Sequence, residues 1–353
     1  MRASPLARAA LAVYLLLVIY GSLYPFTGWR DRGLSPFAFL VAPAPRFVTA
    51  FDLAANLIGY LPYGFLCVLA LHPRLRGVRA LGVAALSGAL LSLCMEALQT
   101  YLPARFASNL DVLCNVGGTL AGGALASRFA PWLLGTGPLH RMRSALFRPG
   151  LAADLGLVLL GLWLFTQLDP TTLLFGAGDL RNLLAGPGGA LHAPELFVSV
   201  ETLTSGANLV AVALLLSLIA SPDSRLRVVF LALMLLALSV KTAAFAILMR
   251  AENVFAWLTP GAWQGLAVGA LAALAALALP RAARVVLAAV LLMAATVLVN
   301  LAPPNPYLAA NLTLWQQGHF LNFNGLTRLV SSTWPFAALG YLTWLAARRT
   351  ALG

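Results

Sequence analysis

Charge is scarce in this chain. Asp, Glu, Lys and Arg make up 10% of its 353 residues, acids number 11, and lysine occurs once, at Lys241. A water-soluble domain carries about 25% charged residues, so a single aqueous globule is excluded. Cysteine is nearly absent. Cys67, Cys94 and Cys114 all fall in apolar segments, and an odd number so placed reads as small packing residues rather than a disulfide framework. Strict apolar–polar alternation is missing, which removes the closed β-barrel, the other structure able to span lipid. There is no HExxH, GxSxG or phosphate-loop signature. His72, His140, His192 and His319 are dispersed, so no zinc constellation follows and no cofactor is called for.

Apolar sequence fills the space that charge leaves. Hydrophobic residues reach 61% and the mean hydropathy is +0.87. Ala9–Trp29, Thr202–Pro222, Asn253–Pro280 and Val285–Thr327 hold no Asp, Glu, Lys or Arg, and roughly 20 apolar residues cross a bilayer as a helix. The expected fold is all-α: a polytopic transmembrane bundle of about ten spans near 8–25, 53–72, 79–100, 111–133, 151–169, 200–220, 228–249, 261–280, 282–301 and 330–347. The first apolar run follows a short basic start, as in a signal peptide, but lacks a small-x-small cleavage site and is read as an uncleaved span.

Placing both termini in the cytoplasm puts fifteen arginines inside and seven outside, the bias that inner-membrane proteins show. That bias accounts for most of the net charge of +12 without invoking nucleic acid. Arginines and turn residues over Arg128–Gly150 suggest a boundary between a four-helix unit, 1–135, and a C-terminal unit of about six helices, 150–353. AANLIGYL at 54–61 is echoed by GANLVAVAL at 206–214, a match that apolar helices also produce by chance.

Polar residues concentrate around one turn. Asp52 and Asn56 stand at i, i+4, as do Asp111 and Asn115, while Glu96 and Gln99 stand at i, i+3; each pair shares a helix face. Asn56 and Asn115 would lie about 6 Å along the axis from their aspartates. The topology puts this cluster in the outer leaflet, under a short loop carrying Arg105, Ser108 and Asn109. Asp52 and Asp111 also suit helix N-caps, and the asparagines suit interhelical hydrogen bonds. Glu96 is harder to explain structurally. A carboxylate one turn inside an apolar helix costs a few kcal/mol and usually faces a bundle interior or cavity, where it can carry a proton or hold a ligand. Gly118-xxx-Gly122 would bring helices close and carry Asn115 toward its neighbours; Gly261, Gly265 and Gly269 repeat the spacing.

These elements together resemble the VanZ-like family. The first span ends YGSLYPF, and FDLAANLIGYLPYGFL and MEALQTYLPARFASNLDVLCNVGGTLAGG follow. Asp52, Asn56, Glu96, Gln99, Arg105, Asp111, Asn115 and Gly118 occur in the family's order, and the resemblance covers roughly residues 8–133. It implies a bacterial cell-envelope protein of the cytoplasmic membrane. The family's name comes from a protein associated with teicoplanin resistance.

Beyond that segment, Lys241 sits about 20 Å into its span, and Glu201, near the outer start of another, is the expected partner of an intramembrane pair. That pair is read either as structural or as a ligand or coupling site. Tyr307, Trp315, Phe320 and Phe323 suit a membrane-interface belt, with His319 read as an interfacial hydrogen bonder rather than a metal ligand. Three functions stay open. One is non-enzymatic binding or translocation of an amphipathic ligand, such as an isoprenoid phosphate or glycolipid, with Arg105 and two helix N-termini favouring an anionic headgroup. Another is a membrane-embedded enzyme in which Glu96 with Asp52 or Asp111 forms an acid–base pair or divalent-cation site. The last is an accessory membrane subunit. Membrane lipids are the expected partners.

Overall fold

In hydrocarbon every backbone N–H and C=O needs an internal partner, so long apolar runs have to close their hydrogen bonds within a helix. The computed structural model follows this rule. It describes residues 4–43, 49–135, 137–181, 194–248, 254–303, 305–307 and 321–350. Among these the regular structure is helical throughout, with no strand. The chain divides into two compact units, Met1–Arg143 and Ser144–Gly353.

The first unit holds α1 (Pro5–Leu23), a short 3-10 turn (Ala38–Leu40), α2 (Ala50–Leu71), α3 (Gly77–Gln99) and α4 (Asn109–Leu134). Ser4 caps α1 by accepting the Ala7 N–H, with proline at the first helical position, where its missing N–H costs nothing. The closest packing joins α2 to α4, and glycine permits it. A Cβ at Gly118 would lie 2.1 Å from the Leu57 carbonyl oxygen, and one at Gly122 only 1.9 Å from that of Leu61. Gly64 does the same from the other side, its missing Cβ falling 2.0 Å from the Thr119 oxygen. The two backbones are therefore in contact over two turns.

A nine-residue helix, α5 (Pro138–Leu146), lies in the arginine-rich boundary region and runs across the division between the two units. The second unit continues with α6 (Leu151–Thr166), α7 (Pro194–Ile219), α8 (Leu226–Leu248), α9 (Pro260–Ala276), α10 (Arg281–Leu301) and α11 (Leu321–Thr350). Its core forms around α7, where the run from Leu209 to Leu216 is buried without a break. A helix that is apolar all round belongs in the middle of a bundle. Gly265 and Gly269 press α9 onto it: added Cβ atoms would stand 2.7 Å from Ser205 Cβ and 2.8 Å from Gly206 Cα.

Helices lie on all ten intervals expected as spans. Six of them (α1, α2, α3, α7, α8 and α10) are long and apolar enough to cross a bilayer, while α6 and α9 are apolar but shorter. The chain is a membrane protein. Of the expected interfacial belt, Tyr307 packs on Phe197 and Phe323 on Phe165; Trp315, His319 and Phe320, like His192, lie outside the described residues.

Candidate functional site

The turn from α3 to α4 is built around Glu96. This side chain is 3% exposed, and its Oε2 accepts the backbone N–H of Ser108 at 2.8 Å. Ser108 is the N-cap of α4, and its own hydroxyl accepts the Leu110 N–H at 3.2 Å. A buried carboxylate on one helix thus satisfies a donor at the positive end of the next, where the macrodipole favours negative charge.

Neither aspartate is an N-cap. Thr49 caps α2, and Asp52 is the third helical residue of a capping box. Asp52 Oδ2 accepts the Thr49 N–H at 3.0 Å while Thr49 Oγ1 accepts the Asp52 N–H at 3.2 Å. Asp111 holds the equivalent position after Ser108. The signal was in the sequence, since Thr49 and Ser108 stand three residues ahead of an acid, as a capping box requires. Asp111 is half-buried. The Asn56 amide stands beside it, with Asp52 and Arg105 close enough to act on it electrostatically.

Arg105 and Gln99 turn toward α1. Arg105 donates from Nη2 to the Gly21 oxygen at 2.7 Å and from Nε to the Tyr24 oxygen at 3.1 Å, and Gln99 Nε2 donates to the Ser22 oxygen at 2.9 Å. These are orphan carbonyls of a helix end. The Gly21 oxygen would otherwise await the N–H of residue 25, which is proline and has none. Burial pulls the Arg105 guanidinium below its usual value while Glu96 and Asp111 push it back up; it stays a cation at any working pH.

Below the carboxylates, Asn115 Nδ2 donates to Ser92 Oγ at 2.9 Å. Asn115 Oδ1 and the Tyr60 hydroxyl are buried without a hydrogen-bond partner, and Tyr60 lies close to both Ser92 and Glu96. Ser92 and Tyr60 did not stand out in the sequence. Yet each continues a polar face by one turn, Ser92 four residues before Glu96 and Tyr60 four after Asn56. Asp52, Asn56, Glu96, Arg105 and Asp111 therefore share one electrostatic neighbourhood, with Asn115 deeper and Gln99 turned aside.

The arrangement is acid-rich. Glu96 and Asp111 act on one guanidinium, with Asp52 acting on Asp111, and several donors expected to receive an anion have other partners: Arg105 gives two of its five N–H to residues 21 and 24, Ser108 N–H goes to Glu96, and Leu110 N–H to Ser108. Among the described residues no group of three or more His, Cys, Asp or Glu comes together to hold a metal ion.

The expected Glu201–Lys241 pair does not form. Lys241, 1% exposed, donates to the Asp169 oxygen at 2.7 Å, the Thr172 oxygen at 3.0 Å and Thr172 Oγ1 at 3.3 Å. Its three protons are thereby used on a turn that pitch and depth could not reveal. Glu201, 2% exposed, instead accepts the hydroxyl of Thr259, the N-cap of α9. Each acts on the other only at longer range. Asp169, buried and held by Thr171 and Thr327, completes the surroundings of the ammonium; it had looked like a span boundary.

Residues 10–130 match the family described as VanZ/LLP1. The resemblance read from the motifs is shown over that segment, which holds every cluster residue from Asp52 to Asn115. No curated protein and no solved structure matches the chain.

Proposed function

We propose that the N-terminal unit binds, or helps to translocate, an amphipathic envelope lipid whose headgroup enters the polar cluster from the outer leaflet, without catalysing a reaction on it. The reading carries with it a topology of about ten spans with both termini in the cytoplasm of a bacterial cell. The observation behind it is Glu96: a carboxyl buried in an apolar helix and drawn under the start of α4, with Asp111, Asp52 and Asn56 on the more exposed side. Such a residue is expensive in lipid and marks a site by default.

The acid excess refines the ligand. Three carboxyls share the cluster with one guanidinium, so a headgroup rich in hydroxyl or amine donors suits it better than a bare phosphate. A glycolipid meets that description. Glu96 would be the group that couples a proton to the binding and release of such donors. The cell-envelope setting, and a connection with glycopeptide (teicoplanin) response, rest on the family resemblance.

A second reading has its own support. Glu96 caps α4, while Arg105 and Gln99 cap α1, which is what a purely structural cluster in an accessory subunit would do. Thermal unfolding in detergent separates the two. Wild type and Glu96→Gln are compared across glycolipids, polyprenyl phosphates, phospholipids, glycopeptides and divalent cations. Glutamine can still accept the Ser108 N–H, so similar basal stability is expected, with a ligand-specific rise in wild type that the variant loses. A variant that melts earlier, with no ligand response in either protein, would leave the structural reading. A rise with divalent cations alone would point to an enzyme.

A further inference from the structure

The second unit carries a cleft of about 350 Å³ between the start of α8 and the end of α9, lined by Arg225, Leu226, Arg227, Val228, Leu277 and Ala278. Four of the six walls are apolar and two are cationic. Both arginines are exposed, and among the described residues neither has a side-chain hydrogen bond or ion pair. Asp223, two residues away, is exposed and likewise forms no ion pair. The first turn of α8 contains no acid, so its positive end adds to the two guanidiniums instead of being offset.

The same end of this unit gathers further arginines. Arg281 and Arg284 open α10 directly after the cleft's Leu277–Ala278 wall. Arg148 binds the Ala220 oxygen at the end of α7 and lies close enough to Arg284 for the two cations to repel. Arg284 Nε is buried without a partner. From Val228 in the cleft wall, exposed Leu231 and Leu235 continue along the same face of α8, and α9 presents exposed Leu271. The chemistry is an anion-favouring rim above an apolar track.

We infer that this cleft holds an anionic phospholipid of the inner leaflet, its phosphate between Arg225 and Arg227 and an acyl chain along the exposed apolar side chains of α8 and α9. Guanidinium suits phosphate because its planar fork donates two bonds at once, and basic pockets between membrane helices hold lipid headgroups in this way. The apolar track commits the site to a lipid rather than to free phosphate, which has no use for Leu277 or Val228. The site is separate from the Glu96 cluster and does not depend on its function; its place in the inner leaflet rests on the topology proposed above.

The test is native mass spectrometry of the full chain, titrated with phosphatidylglycerol or phosphatidylcholine. Wild type should retain phosphatidylglycerol preferentially. Arg225→Gln/Arg227→Gln should weaken that binding about tenfold or more, and Arg225→Lys/Arg227→Lys should weaken it less. Arg74→Gln/Arg76→Gln, which removes the same charge from the first unit, should leave it unchanged, as should Glu96→Gln. Equal retention of phosphatidylcholine, an equal loss in the Arg74/Arg76 control, or displacement of the lipid by inorganic phosphate would overturn the assignment. Helix content by circular dichroism checks the fold, and the double lysine variant carries the comparison should the double glutamine variant not fold.

Discussion

Two helix pairs in this molecule are made the same way and end differently. In the first unit α4 lies on α2 through Gly118 and Gly122; in the second α9 lies on α7 through Gly265 and Gly269. In both, a buried glutamate meets the N-cap of the glycine-bearing helix, Glu96 at the Ser108 N–H and Glu201 at the Thr259 hydroxyl. Even the echo between 54–61 and 206–214 falls on corresponding partners, α2 and α7. The surroundings then diverge. Glu96 has Asp111, Asn56 and Asp52 beside it or nearby, all partly exposed. Glu201 has buried Thr204, Ser205 and Asn208 along its own helix and a lysine locked onto another turn. A buried capping glutamate is thus a packing device in its own right. What sets the first unit apart is a polar path from that glutamate to the surface.

The comparison breaks most readily at the glycines. Gly122→Ala drives a Cβ into a main-chain oxygen that cannot swing away and should cost more than about 3 kcal/mol, at the top of the overpacking range. Gly269→Ala meets a looser contact and should cost about 1–3 kcal/mol. Unfolding midpoints in detergent check the order, and a reversed order would mean that the two pairs do not pack alike. Lys241→Met removes the cation from a turn that keeps its carbonyls and the Asp169 carboxylate; a loss of about 3 kcal/mol is expected, with any ligand response of the first unit intact.

Arg105→Ala should cost about 2 kcal/mol by stranding two carbonyls of α1. Hydrogen exchange should quicken near Tyr24 and Phe26 before it does elsewhere, whereas uniform acceleration would show that Arg105 supports more than this helix end. The smallest effect is expected from Glu201→Gln, about 1 kcal/mol, because a glutamine oxygen still accepts the Thr259 hydroxyl. The comparison is sharpened if Glu201→Gln keeps the ligand response that Glu96→Gln loses, and collapses if both lose it.

Much of this was legible one helix at a time. Uncharged runs marked the spans, and i, i+4 spacing marked Asp52 with Asn56 and Asp111 with Asn115 as shared faces. Glu96 stood out because nothing local excused it. The capping box at Thr49 and the N-cap at Ser108 were readable and were overshadowed by their aspartates. The attachments of Arg105 and Gln99 were not readable, since they end on carbonyls of residues 21, 22 and 24, and every residue has a carbonyl. Lys241 was misassigned for the same reason: a search for its opposite charge found Glu201, whereas its protons went to main-chain oxygens of Asp169 and Thr172.

Sequence alone determined that this chain is helical, that it belongs in a membrane, and which polar groups share a helix face, because hydropathy and the 3.6-residue period are local properties. Tertiary structure decided which groups meet. That choice depends on how closely backbones approach, here set by glycines against carbonyls, and on which main-chain acceptors a helix end or a proline leaves open.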